Sequence, residues 1–215
     1  MKQSKNLVWP ALALAAAAAL LVVLVVTETF GRRSVFCSST SCFVEGVLWS
    51  LPTYAAMLAV VIACVLITVA LVRARVGPSS VRIIALSTAL AAAVAYIIVS
   101  IVSLDAAWVG AFSGQLSPPP PALRLPTVFA SLTAPLWTLC LMLLGVSIAL
   151  TSLLLLPLRA PQPLAVLGWI AGVAVAALIP SVPIYTAYRY AVPVAFLAVT
   201  VWAFWLAVVV IRRSP

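Results

Sequence analysis

The chain has 215 residues, 66% of them hydrophobic and 7% charged, with a formal net charge of +9 and a mean hydropathy of +1.30. Soluble domains carry about a quarter charged residues, so this composition excludes a water-solvated globule and leaves lipid as the medium for most of the chain. The basic residues stand singly or in pairs at the ends of apolar runs; that excludes the basic stripe of a nucleic-acid binder and fits anchoring to headgroups.

The basic hexapeptide 1–6 precedes an apolar run over 7–30. The run exceeds the h-region of a signal peptide, and "TETFGRR" offers no small-x-small cleavage site, so an uncleaved first span is expected. A polar outer loop over 31–46 carries Cys37 and Cys42 in C-x4-C spacing. The second span is predicted at 47–72, and a basic turn broken by Gly77-Pro78 leads to the third at 83–103. The outer connection 104–127 is expected to hold an interfacial helix over 104–116, with Trp108 and Phe112 on one face, and a polyproline spacer at Pro118–Pro121. The fourth, fifth and sixth spans are predicted at 128–156, 164–184 and 191–211. The tripeptide Leu-Pro-Thr enters both the second and fourth spans, at 51–53 and 125–127, a faint hint of parallel hairpins.

Lysine and arginine counts set the expected orientation. With the N-terminus inside, Lys2, Lys5, Arg73, Arg75, Arg82, Arg159, Arg212 and Arg213 lie inside and Arg32, Arg33, Arg124 and Arg189 outside, eight against four. The three acids, Glu28, Glu45 and Asp105, all fall on the outer side. Trp9 and Trp169 then mark the inner interface, and Trp49, Trp108, Tyr185, Tyr188 and Tyr190 the outer one.

Missing residue types narrow the chemistry. There is no histidine, which removes the usual haem, zinc and copper ligand and the commonest general base. No aspartate or glutamate falls mid-span or on the inner side, which holds no carboxylate but the C-terminus; a divalent-metal site on lipid pyrophosphates or a proton-coupled carrier would need one there. Cys37 and Cys42 are expected to close a disulfide in an oxidising outer compartment, worth about 2–3 kcal/mol by loop entropy. A redox role is the alternative. It lacks the C-x-x-C that lowers a thiol pKa, and the remaining cysteines, Cys64 and Cys140, fall singly within spans two and four. Glu28, Glu45, Asp105 and Arg189 form an outer rim read as interfacial charges; a selectivity ring or docking surface is the alternative. Arg189 lies between Tyr188 and Tyr190, within reach of a cation–π contact. Pro180 and Pro183 are expected to kink the outer end of span five. The hydroxyls of span four, Ser131, Thr133, Thr138, Ser147, Thr151 and Ser152, are read as helix-packing residues.

The expected object is an all-α integral membrane protein: one polytopic domain over 1–215, a bundle of about six transmembrane helices in the cell membrane, both termini cytoplasmic. No catalytic residue, metal ligand or cofactor is expected. The expected partners are the lipid bilayer and other membrane subunits, with no nucleic acid. Three functions stay open, in this order: a non-catalytic scaffold or accessory subunit; a permease or channel for a neutral or weakly anionic solute; and an outer-facing thiol-disulfide oxidoreductase using Cys37 and Cys42.

Overall fold

The computed structural model describes the backbone of residues 2–31, 40–113, 125–156, 161–181 and 190–212, and the side chains of 7–27, 51–102, 135–156, 161–181 and 190–212. These residues form six long helices, with no strand among them. They are α1 (Lys2–Gly31), α2 (Thr40–Arg73), α3 (Ser79–Ser113), α4 (Leu125–Leu154), α5 (Gln162–Ser181) and α6 (Val192–Arg212). Each contains an apolar segment of at least 20 residues, long enough to cross a bilayer core. The helices carry large apolar side chains on their outer surfaces, among them Leu20, Ile62, Ile84, Ile97 and Phe204. This is a multi-pass membrane protein. In hydrocarbon a backbone must satisfy its own polar groups, and an unbroken helix does so.

Two helices outrun the apolar segments that predict them. α2 starts at Thr40, inside the expected loop 31–46, and α3 continues to Ser113. Residues 104–113 therefore extend α3 and do not form a separate interfacial helix. Hydropathy marks where lipid ends; helical hydrogen bonding continues past that point wherever no breaker intervenes. Leu-Pro-Thr does not mark a structural repeat either, since at 125–127 it opens α4 and at 51–53 it lies well inside α2.

Each helix packs on its neighbour in sequence, and α6 closes onto α1 to complete a ring. α2 and α4 also touch across the middle. The ring is up-and-down, so α1 begins at the end of the bundle where α2, α4 and α6 finish. Leu14 of α1, Cys64 and Ile67 of α2, Ile148 and Thr151 of α4 and Trp202 of α6 meet at one level in that half.

The turn from α2 to α3 is a Schellman motif. The Val76 amide donates to the Leu71 carbonyl at 3.2 Å and the Arg75 amide to the Val72 carbonyl at 3.0 Å. Arg75 takes the left-handed conformation, φ 54°, at the position where glycine is usual. Buried Val76 and Leu71 supply the apolar contact of the motif. Gly77, at φ 74°, and Pro78 then reverse the chain into α3.

Span five is where the helix departs from α geometry. Residues Ala174–Leu178 form a π-helical segment, followed by Ile179–Ser181. Pro180 supplies the cause. It has no amide hydrogen, and its ring excludes the carbonyl one turn back, at Ala176, from a normal α position. The expected distortion is thus a widened turn in front of Pro180. Pro183 lies outside the described residues.

Candidate functional site

The outer-rim residues named from sequence fall where side chains are not described. Glu28 lies near the end of α1, Cys42 and Glu45 near the start of α2 and Asp105 near the end of α3. Nothing is described of these four side chains, and Cys37 and Arg189 lie outside the described residues altogether. The candidate site is therefore the interior seam of the bundle, where the described polar side chains gather.

Thr68, Ser147, Thr151 and Ser152 are the buried polar side chains among the described residues. Thr68 Oγ1 lies 3.0 Å from Thr151 Oγ1 and donates to the Cys64 carbonyl at 2.8 Å, so the Thr151 hydroxyl donates across the α2–α4 contact. This pair ties together two helices that are not neighbours in sequence. Interhelical hydrogen bonds of this kind contribute about 0.6 kcal/mol on average and at most about 1.7. Thr68→Val is expected to cost about 1 kcal/mol, and adding Thr151→Val to cost little more, because one bond is lost in both. A double-mutant cycle of unfolding in detergent checks this; full additivity would show that the pair is not coupled.

Ser152 Oγ donates back to the Ala149 carbonyl at 2.7 Å, which leaves the Ser152 β-carbon facing α5. There the two helices approach to backbone contact. A β-carbon on Gly172 would stand 2.5 Å from the Gly145 carbonyl oxygen and 2.6 Å from the Ala149 amide nitrogen. One on Gly145 would fall on the Gly172 carbonyl and lie 2.5 Å from the Ala176 nitrogen. Ala176 belongs to the π-helical segment, so the widened turn is seated directly on Gly145. Gly168 receives the indole of Trp202: a β-carbon there would collide with Nε1 and lie 2.6 Å from Ser152 Cβ. Gly168→Ala should therefore destabilise the protein by about 1–3 kcal/mol through overpacking. Trp202→Phe, which removes the colliding ring, should relieve part of that cost when combined with it. Equal cost in both backgrounds, measured by thermal unfolding, would contradict the contact.

The sequence reading credits span four with packing hydroxyls, and Ser147, Thr151 and Ser152 are indeed buried. It misses their partner. Gly168, Gly172 and Ala176 recur every fourth residue, the small-xxx-small pattern of close-packed membrane helices. That spacing alone was the available signal.

Toward the other end of the bundle, Tyr54 of α2, Tyr96 of α3 and Trp137 of α4 form an aromatic cluster. Ring centroids are 6.1 Å apart for Tyr54–Trp137 and 5.8 Å for Tyr96–Trp137, the latter edge-to-face. Tyr96 Oη donates to the Tyr54 carbonyl. Cys140 Sγ donates weakly to the Ala92 carbonyl at 3.6 Å, and both Cys64 and Cys140 are buried free thiols on separate helices. They serve as small packing residues.

In chemical terms the seam is filled. The gap between Leu14, Cys64, Ile67, Ile148, Thr151 and Trp202 has no room for a water molecule. Among the described residues no three His, Cys, Asp or Glu side chains converge on a metal-binding geometry. Trp9, Trp169 and Tyr190 are exposed on the bundle surface. Compared with protein-family models, curated proteins and solved structures, the chain matches none.

Proposed function

We propose that the chain is a non-catalytic scaffold or accessory subunit of a membrane complex, sitting in the cell membrane with both termini in the cytoplasm. The observation that carries this reading is the filled seam. Trp202, Leu14, Ile67 and Ile148 occupy the space that a solute path would need, and the Thr68–Thr151 pair spends its polar groups on holding α2 to α4. Among the described residues, this seam leaves no interior room for a solute, and what it offers a partner is its surface. The charge asymmetry of eight basic residues against four supports the orientation. The test has two arms. Purification in mild detergent should recover a stoichiometric membrane partner. Sealed vesicles holding the chain alone should pass neither glycerol nor a weak organic anion faster than empty vesicles. Solute-selective flux through the chain alone would overturn the reading.

A permease is the second reading, favoured by one feature: the π-helical segment before Pro180. Widened turns of this kind are frequent at functional sites, and discontinuous spans line transporter sites. The same flux measurement decides between the two. A thiol-disulfide oxidoreductase remains the third; it predicts exchange of a Cys37–Cys42 disulfide with a dithiol, abolished in Cys37→Ser.

A further inference from the structure

The α2–α3 turn brings three arginines to one end of the bundle within ten residues of chain. Arg73 ends α2 and is exposed; Arg75 is exposed on the left-handed residue of the Schellman motif; Arg82, half-buried, lies in the first turns of α3. Exposed aliphatic residues bracket them in the chain on both sides. Ile83 and Ile84, directly after Arg82, are exposed aliphatic residues at the start of α3, and Leu66 and Ile62 are exposed on α2 about two and three turns before Arg73. Aliphatic side chains on the outside of the bundle belong in hydrocarbon, so the guanidinium groups stand just beyond it, at headgroup depth.

No aspartate or glutamate side chain can neutralise them there. The chain has three acids in all, Glu28, Glu45 and Asp105. They lie near the end of α1, the start of α2 and the end of α3, which is the opposite end of the up-and-down bundle. The arginines also do not hang on a free loop. Val76 is buried, and the Arg75 and Val76 amides are bonded to α2 carbonyls, so the turn that carries Arg75 is fixed to the body of the protein. Arginine, with a planar fork of donors, suits phosphate oxygens.

We propose that Arg73, Arg75 and Arg82 form a binding surface for the phosphate of an anionic phospholipid headgroup. The lipid is favoured over an acidic protein segment because the guanidinium groups stand at the depth where lipid phosphates are, beside aliphatic residues that acyl chains cover. The reading is independent of whether the protein is a scaffold or a permease.

The test uses the full chain in phosphatidylcholine vesicles containing a small fraction of spin-labelled phosphatidylglycerol, with spin-labelled phosphatidylcholine as reference. The immobilised fraction should favour phosphatidylglycerol. Each arginine-to-glutamine change should weaken that preference roughly fivefold, and R73Q/R75Q/R82Q on the order of a hundredfold. R73K/R75K/R82K should retain most of it, and R32Q/R33Q, which follow the end of α1 in sequence, all of it. Should the triple glutamine variant fail to fold, the wild type decides by salt titration, because a phosphate contact near the surface weakens as salt rises. A preference that salt leaves unchanged, or that survives in R73Q/R75Q/R82Q, overturns the proposal. So does equal immobilisation of both lipids by the wild type, which would point to an acidic protein segment. Displacement of the lipid by inorganic phosphate at equal concentration would show a free-anion site and overturn it as well.

Discussion

Gly172→Ala should lower the stability of the folded protein by about 3 kcal/mol, the upper part of the range for overpacking a filled interior. The added methyl carbon has nowhere to go. Its nearest neighbours, 2.5 and 2.6 Å away, are the Gly145 carbonyl oxygen and the Ala149 amide nitrogen of α4. Backbone atoms of a helix cannot turn aside as a side chain can, so α4 and α5 must separate. Separation removes the contacts that hold two spans together in lipid, where no hydrophobic force replaces them. Gly145→Ala should behave alike, because its β-carbon meets the Gly172 carbonyl and the Ala176 amide. Ala177→Leu is the control. Ala177 lies on the exposed face of the same span, and a change there should stay within about 0.5 kcal/mol. Thermal unfolding in detergent measures all three, and a neutral Gly172→Ala would contradict the close approach of α4 and α5.

Trp202→Ala should cost a comparable amount by a different route. Trp202 is the largest fully buried side chain described, 1% exposed. Truncating a buried tryptophan costs about 3–5 kcal/mol in soluble proteins, from lost transfer energy and from the cavity left behind. In a membrane the transfer part shrinks, because lipid is as apolar as the interior. The expected loss is therefore near the lower bound, about 3 kcal/mol. The void would open beside Cys64, which shares the central gap with Trp202. Trp202→Ala should then also raise the reactivity of Cys64 toward small thiol reagents while the protein stays folded. A stable variant with an inert Cys64 would place Trp202 outside the seam.

How much of this was legible in the sequence depends on what each feature rests on. The six apolar runs reveal the six helices because lipid imposes one rule, that apolar chain of sufficient length becomes helix. Helix ends were less legible. Residues 40–46 and 104–113 are helical because nothing breaks them, not because they are apolar enough for hydrocarbon. Pro180 announced a distortion, but not its form; the π-helical segment also depends on Ala176 seating against Gly145, a contact between spans. The pairing of Thr68 with Thr151 was out of reach as well. Either threonine could have faced lipid, since a hydroxyl in a membrane helix can bond to its own backbone, as Thr200 does to the Phe196 carbonyl at 2.8 Å. The Gly168–Gly172–Ala176 spacing was fully visible; what it lacked was a named partner, and Gly145 of α4 supplies one. The charged rim of Glu28, Glu45, Asp105 and Arg189 and the Cys37–Cys42 pair stay as sequence-based expectations, because the described side chains do not include them.

The central claim is a bundle whose middle is filled, and Cys64 is a native probe placed at that middle. In a Cys37→Ser/Cys42→Ser/Cys140→Ser background, Cys64 is the one remaining thiol of the four in the chain. The decisive measurement is its labelling in sealed vesicles by a charged, water-soluble methanethiosulfonate reagent. Cys64 should stay unlabelled while the protein is folded and become labelled once it is unfolded in a strong detergent. Labelling of the folded protein at the rate of an exposed thiol would mean that water reaches the seam between α1, α2, α4 and α6, and that the bundle holds a path rather than a packed core.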